Sequence, residues 1–167
     1  MSEARLVGVA RCALALVVAT LLGTHLCWVP LTCDRHVASY KVATMAAATA
    51  RSTPAGVAQA RRNLEGLLAL ERRCPPDVDL PMMAGASAMV LGRPEVAAAA
   101  YRRALAVEGR PEVYLALGLA QLAAHRQGEA IDSLTLAARF NPYILDQVPE
   151  PVATEVRVRL AARTPAR

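Results

Sequence analysis

The chain contains one pattern twice, with a period of 33 residues, between Asp77 and Tyr143. In each copy a glycine is followed by two alanines seven positions apart, and a large apolar residue lies between those alanines. Small residues let two helix backbones approach closely, and one large side chain fills the space that remains. The residues that we expect to pack in this way are Gly85, Ala97, Tyr101 and Ala104 in the first copy, and Gly118, Ala130, Leu134, Ala137 and Pro142 in the second.

Proline and glutamate mark the expected helix starts. The segments Arg93-Pro94-Glu95-Val96 and Arg110-Pro111-Glu112-Val113 have the same form, and Pro149-Glu150-Pro151-Val152 repeats it near the end of the chain. Proline is tolerated in the first turn because its missing N–H has no partner there, and glutamate suits the positive end of a helix. These signals predict two helical hairpins over 78–144 and a last helix over 150–163, followed by a tail over 164–167.

This spacing resembles the tetratricopeptide repeat, a helix–turn–helix unit of about 34 residues that stacks into a solenoid. The copies cover 78–110 and 111–144. The second copy matches the family pattern at Tyr114, Leu117 and Gly118, but has Gln121 where the family prefers an aromatic residue. A hairpin over 34–74 is a candidate for a degenerate third copy, because Ala60, Leu64 and Leu67 repeat the spacing. The alternative is an ordinary alanine-rich helical bundle.

The resemblance implies a binding surface. Tetratricopeptide proteins bind partners through a concave face that the first helix of each unit lines. The family's inward positions fall on Asp79, Met82, Ala86, Met89 and Val90 in the first copy, and on Glu112, Leu115, Leu119, Leu122 and Ala123 in the second. An apolar groove of this kind suits an amphipathic helix or an apolar segment of another protein. The alternative is that these side chains are simply buried.

The N-terminal region has no charged residue from Cys12 to Cys33, and only His25 there is ionisable. A helix of about 20 apolar residues spans a bilayer core of about 30 Å. We therefore expect a head over 1–11 and a transmembrane anchor over 12–31, with Trp28 at the interface and Pro30 ending the helix. The alternatives are a cleaved signal peptide and a core helix. The anchor predicts a single-pass protein of a bacterial inner membrane, with a cytoplasmic N-terminus.

Two of the four cysteines have a predicted role. If 36–50 and 54–73 form an antiparallel hairpin, its open ends bring Cys33 and Cys74 together, which allows a disulfide in an oxidising compartment. A Cys27–Cys33 pair and reduced thiols are the alternatives. The histidines and cysteines from His25 to His36 lack the spacing of a structural metal site. We expect no metal and no cofactor, with ligation of a pigment or haem by His25 as the alternative.

No sequence pattern indicates catalysis. The chain has no nucleophile elbow, no phosphate-binding loop and no metal-binding histidine pair. Its net charge of +5 comes from arginine without interleaved aromatic or glycine-rich motifs, so nucleic acid is not an expected partner. We expect an all-α scaffold that binds other, membrane-embedded proteins and that contacts the lipid bilayer through its anchor. The alternative is a permanent accessory subunit of a larger membrane complex for secretion, envelope assembly, or photosynthetic or respiratory energy conversion.

Overall fold

Helices make up every element that the computed structural model describes, which covers the backbone of residues 3–23 and 29–163. This composition agrees with an all-α fold. The chain divides into two compact units, 1–38 and 39–167. The elements are α1 (Glu3–Gly23), α2 (Val29–Thr49), α3 (Pro54–Glu71), α4 (Asp79–Val90), α5 (Pro94–Val107), α6 (Pro111–Ala123), α7 (Gln127–Phe140), a 3-10 helix (Pro142–Gln147) and α8 (Val152–Arg163).

The N-terminal helix differs from the expected anchor. α1 begins at Glu3 and ends at Gly23, so it includes Arg5 and Arg11. Its uncharged part starts only at Cys12, and from there to Gly23 it is about 18 Å long, shorter than a bilayer core of about 30 Å. A separate helix, α2, begins at Val29. Pro30 therefore lies in a first turn, where proline is tolerated, and does not end a span.

Within residues 3–23 and 29–163, no helix combines the length and the apolar character that crossing a membrane requires. The predictions of an anchor over 12–31 and of a single-pass membrane protein are therefore wrong. The predicted roles of His25, Cys27 and Trp28, and the tail over 164–167, lie outside the described residues.

The two sequence copies form the same backbone turn. Gly92 and His125, which are equivalent, both have positive φ angles, +65° and +58°. The N–H of Arg93 donates to the carbonyl of Ala88 at 2.9 Å, and that of Arg126 donates to Gln121 at 2.8 Å. This is the bonding of a Schellman turn, which ends a helix with one left-handed residue. Consecutive helices pack on each other from α3 to α7, so the hairpins stack along the chain.

Each hairpin packs a large side chain over a glycine. A Cβ atom on Gly85 would lie 2.5 Å from Tyr101 Cε1, and one on Gly118 would lie 2.6 Å from Leu134 Cγ. The flanking alanines are completely buried: Ala97, Ala104, Ala130 and Ala137. Pro142 differs from the other expected packing residues, because it is exposed and begins the 3-10 helix. The hairpins thus use close helix contact in place of a large apolar core.

The departure from the family pattern at Gln121 is accommodated by hydrogen bonds. Ser133 Oγ donates to Gln121 Oε1 at 2.7 Å, and Gln121 Nε2 donates to Glu129 Oε2 at 3.2 Å. Gln121 is only 3% exposed, so an unpaired side-chain amide at this position would be costly. The positions equivalent to Gln121 and Ser133 in the first copy are Ala88 and Ala100, which need no such partners.

A tyrosine also covers a glycine in the preceding hairpin. A Cβ atom on Gly66 of α3 would lie 1.9 Å from the hydroxyl oxygen of Tyr40 on α2. The residues of the possible third copy, Ala60, Leu64 and Leu67, are buried on α3. The side chain of Thr53 accepts a hydrogen bond from the N–H of Gly56 at 3.0 Å and caps the start of α3.

The C-terminal segment covers the end of the stack. A hydrophobic cluster joins α6 and α7 to the 3-10 helix and α8. Val152 and Val156 of α8 are buried in it, and Leu160 packs against it. A solenoid needs such a cap because its last repeat would otherwise expose an apolar face. The other members of the cluster are Leu115, Ile131, Leu134, Ala137, Ala138, Ile144, Leu145, Val148 and Ala153.

Candidate partner-binding groove

A groove of about 290 Å³ runs across α2, α4 and the start of α6 in the second unit. Its floor is apolar and consists of Met82, Met83 and Ala86. Charged side chains line the remainder: Lys41, Asp79, Arg110 and Glu112. Sites for drug-sized ligands have volumes of about 300–1,000 Å³, so this groove suits one or two side chains of a polypeptide better than a cofactor.

Asp79 connects the two cations of the groove. Lys41 Nζ lies 3.6 Å from Asp79 Oδ2, and Arg110 Nη1 lies 3.6 Å from Asp79 Oδ1. The backbone N–H of Asp79 donates to Asp77 Oδ1 at 2.7 Å, which fixes the start of α4. The carboxylate therefore links α2 to the turn before α6 and holds the rim of the groove in place.

Arg110 has a second carboxylate partner. Its Nη2 donates to Glu108 Oε2 at 2.5 Å. This hydrogen bond lowers the pKa of Glu108 and raises the pKa of Arg110. Both cations of the groove are thus neutralised within the protein. Glu112, which is exposed, forms no hydrogen bond or salt bridge with any residue that the structure describes, but its charge contributes to the raised pKa of Arg110.

The structure divides the predicted groove residues into two sets. Asp79, Met82, Ala86 and Glu112 line the groove. Met89 and Val90 are half-buried further along α4, and Ala123 is exposed at the end of α6. The three leucines of the second copy do not line it: Leu115 is 7% exposed within the C-terminal cluster, and Leu119 and Leu122 pack against that cluster. The three leucines that the second copy was expected to contribute to the concave face therefore pack against other parts of the same chain.

Three lining residues were missed by the sequence reasoning. Met83 was not among the family's inward positions, and Arg110 belongs to the turn between the copies. Lys41 lies on α2, upstream of both clear copies. One signal could have identified Lys41, because it is the only lysine in a chain with 19 basic residues. The single lysine of an arginine-rich chain is a candidate for a specific position.

The predicted disulfide residues are oxidised. Cys33 and Cys74 are each disulfide-bonded. That they bond to each other stays a prediction. In the described part of the chain, no group of histidine, cysteine and carboxylate side chains is arranged to hold a metal ion. His25 and Cys27 fall outside that part.

The one tyrosine with a strongly shifted pKa has a packing role. Burial raises the pKa of Tyr101 to about 12. Its ring covers Gly85 inside the first hairpin, and the side chain is 5% exposed. Tyr101 does not line the groove. The raised pKa therefore follows from the burial of Tyr101 inside the hairpin.

No known protein family, curated protein or solved structure matches this chain. The geometry of the groove and the repeated hairpins are therefore the features that bear on function.

Proposed function

We propose that the protein is a non-catalytic scaffold of tetratricopeptide type, which binds a segment of another protein in the groove across α2, α4 and α6. The observation that carries the proposal is the apolar floor of Met82, Met83 and Ala86 inside a charged rim. Apolar contact provides most of the affinity in a site of this kind, and the surrounding polar groups fix the orientation of the bound segment.

Two apolar side chains of α2 are also exposed. Met45 lies one helical turn after Lys41 and is 68% exposed, and Val42 is 71% exposed. Methionine side chains are flexible and polarisable, so they adapt to differently shaped apolar partners. A bound segment that follows the groove would contact α2, α4 and the start of α6, and contact with several helices is how a short solenoid obtains an extended binding surface.

The test uses a neutral substitution that fills the groove. Ala86→Trp should abolish co-purification of the partner from cells that make the full chain, because an indole would occupy the floor. The matched control is Ala99→Trp, since Ala99 is exposed on α5 and does not line the groove. Loss of the partner with both variants, or with neither, would contradict the proposal. Circular dichroism of both variants shows whether they remain folded.

A second candidate is a permanent accessory subunit of a larger complex, and α1 favours it. Every side chain from Ala13 to Gly23 is exposed, including Leu14 at 66% and Leu21 at 61%. Exposed apolar surface of this extent is typical of a protein–protein interface. The two candidates differ in the Ala86→Trp experiment. A transient adaptor releases its partner, whereas a subunit that is held through α1 keeps a stoichiometric partner despite the filled groove.

A further inference from the structure

We propose that the exposed face of α3 is a second interaction surface, which binds an acidic segment of another protein. This inference goes beyond the proposed function, because α3 does not line the groove. It starts from the charge of residues 51–73, which contain five arginines and two glutamates. This stretch carries a net charge of +3, which is more than half of the +5 of the whole chain.

The arginines of this surface lack an internal counter-charge. Five exposed side chains form no salt bridge with any residue that the structure describes: Arg51, Arg61, Arg62, Arg72 and Arg73. Arg62 Nη2 donates a hydrogen bond to the neutral Gln59 Oε1 at 2.6 Å. Of the two glutamates, Glu71 is bound to Arg103 of α5. Only Glu65 therefore remains within 51–73 to offset the five arginines.

This lack of pairing is concentrated on α3. Arginines of the later helices mostly bind a carboxylate, as Arg102 binds Glu129 at 3.0 Å. Arg93 and Arg139 also form no salt bridge with a described residue, but they lie apart in the chain, at the start of α5 and near the end of α7. Like charges that are held close together repel each other. An anionic partner would relieve this repulsion on α3.

Helix geometry places the two arginine doublets of α3 on one face. Arg61 and Arg72 are 11 residues apart, which corresponds to about three turns and about 16 Å along the helix axis. The backbone of Arg72 is still helical, with φ −81° and ψ −15°. Arg62 and Arg73 repeat the same spacing one residue later. Because a guanidinium group binds a carboxylate through two parallel hydrogen bonds, each doublet suits an aspartate or a glutamate.

An apolar hollow adjoins the first doublet. Its volume is about 570 Å³, and Pro54, Val57 and Ala58 supply its apolar surface. Arg61 and Arg62 also line it, and no carboxylate is among its lining residues. An apolar side chain of a bound segment can therefore occupy the hollow while a neighbouring carboxylate contacts the doublet.

The composition of α3 favours a protein partner over a lipid surface or a nucleic acid. A helix that binds a membrane surface inserts its apolar face, but the apolar residues Ala60, Leu64 and Leu67 of α3 are buried inside the fold. Proteins bind single-stranded nucleic acid by stacking bases on aromatic rings, and residues 51–73 include no aromatic residue. An acidic segment with an apolar side chain matches both the arginines and the hollow.

The experiment is a selection of displayed random 16-residue peptides on the full-length protein, followed by fluorescence polarisation with the selected peptides. We expect a class of peptides with two acidic positions and an apolar residue beside one of them. The acidic positions should be about 11 residues apart in a helical peptide and about five apart in an extended one. Ala86→Trp, which fills the groove, should bind this class as tightly as wild type does.

The combined substitution of Arg61→Gln and Arg72→Gln should weaken binding of the acidic peptides roughly 5-fold to 10-fold, because it removes two exposed ion pairs. Replacing the peptide's two acidic residues with amides should have the same effect on wild type and almost none on this double variant. Circular dichroism shows whether the variant remains folded.

Arg93→Gln combined with Arg139→Gln is the matched control. It removes the same charge from two exposed arginines that also form no salt bridge with a described residue. The control should bind the acidic peptides as wild type does. An equal loss with both double variants would overturn the inference, because the peptides would then respond to net charge and not to α3.

The remaining outcomes separate this inference from its competitors and from the proposed function. Failure to enrich acidic peptides would overturn it, and so would binding of phosphatidylserine vesicles or a single-stranded oligonucleotide in their place with the same dependence on Arg61 and Arg72. Acidic peptides that bind Ala99→Trp but not Ala86→Trp would lie in the groove, which would overturn this inference and support the proposed function.

Discussion

The two repeat copies share one backbone but use the same helix position differently. Met82 and Leu115 are equivalent, 33 residues apart. Met82 lines the open groove, whereas Leu115 is 7% exposed in the C-terminal cluster. The difference arises from what adjoins each copy, because the 3-10 helix and α8 cover the second. A repeat position thus specifies the direction of a side chain, and the neighbouring segment decides whether that side chain binds a partner or joins the core.

The interiors of the two hairpins also differ in detail. The first places Tyr101 over Gly85 and has alanine at both positions 88 and 100. The second places the smaller Leu134 over Gly118 and has the hydrogen-bonded pair Gln121 and Ser133. The first hairpin thus combines the larger side chain of Tyr101 with two alanines. The second combines the smaller side chain of Leu134 with the larger polar pair. One fold accepts either solution because a larger side chain beside small residues and a smaller side chain beside larger ones are alternative ways to fill an interior.

The largest effect should come from adding a methyl group where helices touch. Gly85→Ala and Gly118→Ala should each lower the free energy of unfolding by about 1–3 kcal/mol, since the new Cβ would overlap Tyr101 or Leu134. Gly128→Ala is the control, because a Cβ on Gly128 meets nothing within 4 Å. Urea unfolding monitored by circular dichroism measures all three. If Gly85→Ala and Gly118→Ala matched Gly128→Ala in stability, the close packing described for both copies would be incorrect.

A pH dependence should belong to the first copy alone. Burial raises the pKa of Tyr101 from its ordinary value of 10.0 to about 12 in the folded state. Between these values the unfolded chain loses the proton and the folded chain keeps it, so stability falls as pH rises. The expected slope is about 1.4 kcal/mol per pH unit above pH 10, with no contribution below it.

Urea unfolding from pH 9 to 11.5 measures this slope. Tyr101→Phe should remove it, because phenylalanine has no titrating hydroxyl. Tyr143→Phe is the control, since Tyr143 is 82% exposed. An unchanged slope in Tyr101→Phe would show that another group carries the alkaline sensitivity.

A smaller effect should belong to the second copy. Ser133→Ala removes the hydroxyl that donates to Gln121 Oε1 and should lower the free energy of unfolding by about 1 kcal/mol. Ser39→Ala, at an exposed position on α2, should change stability very little. Equal stability of Ser133→Ala and wild type in urea unfolding would mean that the buried pair makes no net contribution.

The smallest effects concern the equivalent turns. Gly92→Ala should lower the free energy of unfolding by about 0.5–1 kcal/mol, since the φ angle of +65° disfavours a residue with a Cβ atom. His125→Gly should raise it by about 0.5 kcal/mol for the same reason. Thermal unfolding should therefore show a lower Tm for Gly92→Ala and a higher Tm for His125→Gly. Two changes of the same sign would contradict the equivalence of the turns.

The sequence predicted the repeated hairpins because their determinants are local. Pro94 and Pro111 begin α5 and α6, and the glycine-to-large-residue spacing places Tyr101 and Leu134 over their glycines. These features need only helix geometry and the residues of one hairpin. The groove residues Met82 and Ala86 of α4 were predicted from the inward positions of the family that the sequence resembles, and they lie one turn apart on one helix.

The features that the sequence did not predict depend on where helices end and on which segments cover which side chains. The uncharged run from Cys12 did not reveal that α1 would start at Glu3 and end at Gly23, or that Pro30 would open another helix. The repeat pattern predicted that the Leu115 side chain would face inward, but it could not show that α8 would cover this side chain. Lys41 joins the groove through an ion pair with Asp79 of α4, a residue distant in sequence.

The most direct test of the groove as a binding site uses the only lysine of the chain. Lys41 is exposed at the rim, so an amine-reactive diazirine cross-linker attaches there and at the N-terminal amine alone. Irradiation in an extract of the producing cells should yield a defined adduct with one protein. That adduct should be absent with Lys41→Arg, lost with Ala86→Trp and kept with Ala99→Trp. An adduct that persists in Ala86→Trp, or that forms equally with Lys41→Arg, would contradict the assignment of this groove as the partner site.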